Sequence, residues 1–291
     1  ENPEDRNLWR LAKRYIRDWE NPTEFYEDVP FRKRYRFSKE AVIEILLPLV
    51  NAQLRRLNNR GLPVSPLMQL LITLRFYATS SFQIVNGDLR GYSQATVSRI
   101  VVRVSKILAS HLNEFINFST EEKCRNNKNK FYEVANFPSV IGHPGSTHDA
   151  VIFDRSGLRC RFELGHLDGI LLGDNGYACR RCLLTPVLRP ETDAELRYNT
   201  AHKKTRVIVE QMFGVWKRCF PCLYYGIRTK LSTSVAIVCA TAVLHNICIK
   251  YNLGEVFEEE LNEQIFENIV NREQDGIGLA HRNAFIITHF S

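Results

Sequence analysis

Three carboxylates hold most of the chemical content of this chain. The run Gly173-Asp174-Asn175-Gly176-Tyr177 follows an apolar stretch, Ile170 to Leu172, and turns at once. Ligand sites in α/β sheets lie at the carboxyl ends of strands, so Asp174 stands where a catalytic or metal-binding carboxylate belongs. Asp-Asn-Gly is equally ordinary turn chemistry, and both roles stay open for Asp174. Glu210 lies in a segment where Val209, Met212, Phe213 and Trp216 mark a buried helical stripe. Lys203, Arg206, Glu210 and Lys217 follow three- and four-residue steps along an adjoining face. A carboxylate flanked by cations suits a divalent ion whose neighbours hold phosphates. The plainer alternative is an Arg206–Glu210 surface ion pair, worth roughly 0.3–0.5 kcal/mol. A third carboxylate, Asp149, closes Pro144-Gly145-Ser146-Thr147-His148-Asp149. Hard cations such as Mg²⁺ take oxygen ligands, and phosphodiester chemistry commonly uses two of them about 3.5–4 Å apart.

Other reactive side chains read more blandly. Cys179-Arg180-Arg181-Cys182 and Cys219-Phe220-Pro221-Cys222 are two Cys-x-x-Cys pairs, but 36 residues separate them and a long helix intervenes. Zinc ribbons use a shorter spacing, so ordinary reduced thiols are the better expectation. His245 lies in an apolar helix and reads as a core histidine. His202 and Lys203 sit either near phosphate or on a solvated helix face, and His148 is placed to orient Asp149.

The elements that must position these groups fall into two textures. Residues 1–120 read as a helical domain. Ala41-Val42-Ile43 with Ile45, Leu46, Leu47 and Val50 form one stripe, Leu67 to Thr79 another, and Ser93 stands as an N-cap before a third. That last helix carries Val97, Ile100, Val101, Val104, Ile107 and Leu108 on one side and Arg99, Arg103 and Lys106 on the other. Three helices with tight turns suit a helix-turn-helix whose basic face enters a major groove; a trihelical packing unit with a solvated basic face is the alternative. Residues 131–252 instead show short apolar runs bounded by Gly or Pro, at Val140-Ile141, Ile170 to Leu172 and Leu183-Leu184, followed by helices over Ala201 to Arg218 and Thr233 to Lys250. The expected class is therefore α/β and helix-rich. Residues 253–291 read as an acidic, glutamate-rich tail, partly helical and loosely attached.

The chain has 291 residues, with 39 Lys and Arg against 32 Asp and Glu, a net +7. Residues 251–291 hold 2 basic and 8 acidic residues, which leaves +13 on the rest. The basic body invites an acidic partner, with DNA the first candidate. Eight cysteines at this length exclude a disulfide scaffold and suit a reducing compartment. The stretch Leu231 to Ile249 reaches membrane-span length, but Ser232, Thr233, Ser234, Thr241, His245 and Asn246 interrupt it, so a buried core helix and no membrane partner are expected. The start Glu1-Asn2-Pro3-Glu4-Asp5 is charged rather than leader-like and lacks Met, so the natural N-terminus is expected to lie upstream.

Taken together, Leu171 to Tyr177, Leu183-Leu184-Thr185-Pro186, Arg197-Tyr198-Asn199 with His202, and Glu210 with Phe213-Gly214 and Lys217-Arg218 resemble the PIF/Harbinger transposase family. Phe131 to Gly142, Pro144 to Asp149 and Leu244-His245-Asn246-Ile247 match it too. The resemblance is closest to the transposase-derived nucleases of animals. It implies a helix-turn-helix-like region before an RNase H-like DDE nuclease core. It implies Asp174 and Glu210 as catalytic residues, and Asp149, Asp174 and Glu210 as ligands of a divalent cation, Mg²⁺ or Mn²⁺. Nucleic acid would then be held by Arg99, Arg103, Lys106, Lys203, Arg206 and Lys217. A Myb/SANT-like protein partner and a nuclear location with a cytoplasmic pool go with it.

One departure stands out. In the family, the Ile-Gly at Gly142 runs into a strand bearing the first catalytic Asp, and two further strands follow. Here Gly142 is followed by His143 and then Pro144-Gly145-Ser146, so the resemblance implies that several dozen residues are absent. The expectation is an incomplete RNase H-like core without its first strands, with Ile170 to Leu172 lacking neighbours and edges prone to self-association into a homo-oligomer. Fewer oxygens would face a metal, so phosphodiester hydrolysis or strand transfer is expected to be impaired. The alternative function is a non-catalytic DNA-binding or protein-interaction module.

Overall fold

The computed structural model describes residues 21–55, 64–81, 92–116, 126, 128–130, 132–133, 136–137, 157–253 and 276–291. In chain order its main elements are α1 (Asp28–Tyr35), α2 (Ala41–Leu54), α3 (Pro66–Thr79), α4 (Gln94–Ser110), α5 (Gly157–Glu163), β1 (Leu171–Leu172), β2 (Leu183–Leu184), α6 (Asp193–Cys219), α7 (Leu231–Lys250) and α8 (Gly276–Phe290). They divide into two compact units that interleave along the chain. Unit one holds residues 1–117 and 214–259, and unit two holds 118–213 and 260–291.

In unit one, α2, α3 and α4 pack on one another and α7 packs on α4. The local signals explain the helix starts. Ser65 and Ser93 accept the backbone N–H of Met68 and Thr96, at 3.3 and 3.2 Å, and Pro66 follows its cap directly. Each such cap contributes about 1 kcal/mol. The stripe Val97, Ile100, Val101, Val104 and Leu108 is buried, as its spacing requires. Arg99, Arg103 and Lys106 lie exposed on the opposite side of α4. Tyr77 and Ser105 share a buried 2.6 Å hydrogen bond that ties α3 to α4, and the Arg103 guanidinium donates to the Gln53 carbonyl of α2 at 2.7 Å. A trihelical packing unit is thus present, while residues 82–91 between α3 and α4 lie outside the described part. Helix α7 is long and apolar enough to cross a membrane by composition alone, yet Ile237, Ala240, Val243, Leu244 and Ile247 are buried among the other helices. It is a core helix.

Unit two is built on a pair of parallel strands, with Leu171 opposite Leu183 and Leu172 opposite Leu184. The expectation that the first strand lacks a neighbour is therefore corrected, because β2 supplies one. Side chains alternate across this pair. Leu171 and Leu183 face Leu158 and Phe162 of α5, whereas Ile170, Leu172 and Leu184 face Phe137, Tyr198, Phe285 and Phe290. Both faces are covered, as parallel strands need. Gly173 lets the pair close, since a Cβ there would lie 2.8 Å from the Leu183 side chain.

The acidic tail departs from the expected loose attachment. Its last part is helix α8, whose Phe285, Ile286 and Phe290 are buried in the core of unit two. Glutamate density describes residues 255–275, which lie outside the described part, and says nothing of the apolar spacing that follows. The apolar run Val140-Ile141 lies outside it as well.

Candidate carboxylate site

Helix α6 is fixed to the second strand and the residues just after it by three side chains from its first turns, and to the end of α8 by a fourth. Tyr198 donates its hydroxyl to the Thr185 carbonyl at 2.9 Å. Asn199 accepts the Val187 N–H and donates to the Val187 carbonyl, both at 2.8 Å. His202 Nε2 donates to the Leu184 carbonyl at 3.2 Å, and Arg197 donates to the Phe290 carbonyl. The segments that looked like separate motifs in the sequence are therefore one joint.

His202 is the centre of that joint. The Leu184 carbonyl that accepts its ring N–H also accepts the backbone N–H of Gly173 at 2.9 Å, one residue before Asp174. One oxygen atom thus registers the strand end against the helix. The imidazole is only 1% exposed and lies between Phe137 and Tyr198. Burial pulls its pKa down to about 4, with the Leu184 hydrogen bond opposing and Arg206 and Arg282 assisting. Neither expectation for His202 holds, since a ring this buried meets neither phosphate nor solvent. The signal that could have found it is position: His202 lies four residues after Tyr198, on the same buried helix face.

One turn beyond His202 comes Arg206, and one turn further Glu210. Arg206 Nη2 donates to Glu210 Oε1 at 3.1 Å, and Arg206 Nη1 lies 3.8 Å from Asp174 Oδ2. With the two guanidinium nitrogens roughly 2.3 Å apart, the carboxylates approach to within about 9 Å of each other. Asp174 fills the turn role left open for it and also pairs with Arg206. Its Oδ1 accepts the Gly176 N–H at 2.8 Å and shapes the turn, while Oδ2 faces the cation. The Arg206–Glu210 ion pair is real as well, but it extends to a second carboxylate from another element. Half-buried Arg206 sits between a Glu210 side chain 37% exposed and an Asp174 side chain 57% exposed, so the cluster is open to solvent on the carboxylate side.

Of the expected site residues, Asp149 lies outside the described part. Lys203 is exposed on α6, and exposed Lys217 belongs to unit one with Arg99, Arg103 and Lys106. Among the described residues no three His, Cys, Asp or Glu side chains converge in a way that could hold a metal ion. Cys179 is buried in unit two, where its thiol reaches the Gly278 carbonyl at 3.4 Å, and Cys222 is buried in the core of unit one. A cleft of about 750 Å³ in unit two, bordered by Tyr132, Arg197, Thr200, Lys204 and Phe290, includes neither Asp174 nor Glu210.

Residues 137–246 match the family model described as DDE superfamily endonuclease. The chain is 31% identical to "Putative nuclease HARBI1" of Bos taurus, across 88% of this chain and 89% of that protein. It is 30% identical to the proteins of the same name from Homo sapiens and Xenopus laevis, with coverage of 88% and 86% of this chain and 89% and 87% of theirs. The Bos taurus alignment runs over 318 positions, and 88% of 291 residues is about 256, so about 62 positions fall opposite gaps in this chain. No solved structure matches.

Proposed function

We propose a function from one premise: this chain belongs to the Harbinger transposase-derived nuclease family and carries its DDE superfamily endonuclease domain. It is a nuclease-like protein on that ground alone. The finer reading is that Asp174 and Glu210 are its carboxylates for phosphodiester chemistry on DNA, and that cleavage is impaired in this chain. The observation that carries it is the shared guanidinium of Arg206, which brings a strand-end Asp and a helix Glu to one cation. The pair is assembled around positive charge, and its donors are the hard oxygens that Mg²⁺ or Mn²⁺ take. Asp174 Oδ2 and Glu210 Oε1 fit such an ion chemically, with Arg206 as the counter-cation that it would displace. When bound, the ion would polarise a phosphate and activate water.

The residues themselves do the rest. Gly176 holds one oxygen of Asp174 so that the other faces outward. His202 locks the register, and Arg206, once released, is a donor for phosphate oxygens. Impairment is supported by the roughly 62 aligned positions with no counterpart here. DNA, a Myb/SANT-like protein, a second copy of the chain and a nuclear location belong to the same proposal. The exposed Arg99, Arg103 and Lys106 on α4 favour retained DNA binding even without cleavage, through a helix-turn-helix-like use of α2 to α4.

Calorimetric titration with Mn²⁺ tests this reading. Wild type is expected to bind weakly, Asp174→Ala to lose affinity by about tenfold or more, and Arg206→Gln to gain affinity while binding DNA less tightly. Equal Mn²⁺ affinity in all three proteins would remove the carboxylate site from consideration. Plasmid cleavage by wild type in Mg²⁺, abolished in Asp174→Ala, would keep the site and overturn the impairment.

A further inference from the structure

The segment that follows α6 in unit one presents two tyrosines to solvent from a firmly built loop. Tyr224 is 60% and Tyr225 is 68% exposed, and their rings meet edge to face at 5.4 Å. A 3₁₀ turn, Pro221–Leu223, opens the loop, with both tyrosine N–H groups donating to the Pro221 carbonyl at 3.0 Å. Cys222 is buried, and Leu223 and Ile227 pack on the core of unit one. Gly226 takes a left-handed φ of +84°, and its carbonyl accepts the Ser80 hydroxyl at 3.5 Å. Thr229 and Ser234 hydroxyls meet at 2.9 Å and close the far end. The rings are thus held out by their frame.

The charge along the adjoining chain has one sign. From Gln211 to Gly254 the chain contains no Asp or Glu, while Lys217 and Arg218 precede the tyrosines and Arg228 and Lys230 follow them. Lys217, Arg228 and Lys230 are exposed. An aromatic pair framed by cations meets the two needs of unpaired nucleic acid: π-faces for bases and positive charge for phosphates. A duplex hides its base faces in the stack and has no use for the tyrosines.

We propose that Tyr224 and Tyr225, with Arg228 and Lys230, form a surface that stacks unpaired bases of single-stranded DNA. This rests on the reading that the chain binds DNA, but not on the carboxylate site or on cleavage. The proposal also gives the loop a function separate from the basic face of α4, which is suited to duplex.

Fluorescence anisotropy with a labelled oligothymidine and a duplex of equal length, on the full chain, tests it. Tyr224→Ala/Tyr225→Ala is expected to weaken single-strand binding by about 10- to 100-fold and to leave duplex binding within about twofold. The corresponding Phe pair keeps the π-faces and is expected to bind single strands as wild type does. Equal losses on both DNAs, or no loss on either, would overturn the stacking surface. If wild type binds duplex but not single strands, the proposal falls and the DNA-binding reading stands; if it binds neither, both fall.

Discussion

Replacing Gly278 by alanine is expected to detach helix α8 from unit two, whereas the same change at Gly276, two residues earlier, is expected to be harmless. A Cβ on Gly278 would lie 1.9 Å from the Cys179 carbonyl oxygen, 2.5 Å from its carbon and 2.8 Å from the Arg180 Cα. All three are backbone atoms, so no side chain can turn aside and the helix itself must move. A Cβ on Gly276 meets nothing within 4 Å. What depends on the docking is large. Phe285, Ile286 and Phe290 are 8%, 3% and 7% exposed, and burying side chains of this size contributes about 1.5–3 kcal/mol each. Arg282, which donates to the Thr185 and Pro186 carbonyls, leaves with them. Against a total stability of roughly 5–15 kcal/mol, losing a substantial part of this is severe. Thermal unfolding followed by circular dichroism should show Gly278→Ala melting on the order of 10 °C lower, with Gly276→Ala at or slightly above wild type. Two identical melting curves would mean that α8 contributes little to unit two.

Acid should weaken unit two through His202. Its folded pKa, about 4, lies below the ordinary histidine value near 6.5, so between those two pH values the unfolded chain binds the extra proton. The stability that comes from keeping the ring neutral is complete above about pH 6.5 and falls away as pH drops toward 4. The wild type is expected to lose about 2 kcal/mol from this group between pH 7 and pH 4.5. Burial is the main cause, and Arg206 and Arg282 act with it against a second positive charge, while Asp174 acts against them. Urea denaturation of wild type and His202→Gln at both pH values isolates the contribution. Glutamine keeps an N–H donor for the Leu184 carbonyl but cannot titrate. The variant is expected to be weaker at pH 7 and to show a shallower loss on acidification. A parallel pH dependence in the two proteins would place the acid sensitivity elsewhere.

Local rules carried much of the fold into the sequence. Ser93 announces α4 because a cap and an apolar period concern residues three or four apart. The apolar runs at 170–172 and 183–184 mark strands because bracketing glycines and prolines act on their own neighbours. The resemblance singled out Asp174 and Glu210 as expected site residues, and the spacing of Arg206 to Glu210 is a one-turn pair that any helix makes. What the sequence withheld is relational. Nothing in Lys203 to Lys217 says that Arg206 also faces Asp174, which comes from another element. Likewise, nothing in the Tyr198–His202 spacing names the carbonyls that those side chains reach. The tail shows the same limit, for its net charge hid three residues whose partners lie far back in the chain.

That distance has a kinetic meaning. The β1–β2 pair closes a loop of about ten residues, a local event that takes well under a microsecond. The contact of Arg197 with the Phe290 carbonyl spans 93 residues, and that of Cys179 with Gly278 spans 99. Loop-closure entropy alone makes the longer closure roughly 2 kcal/mol less favourable. Strand pair and α6 can therefore assemble before α8 arrives, and α8 is the natural first element to leave. The lifetime of folded unit two is then set by how long its most distant helix stays in place.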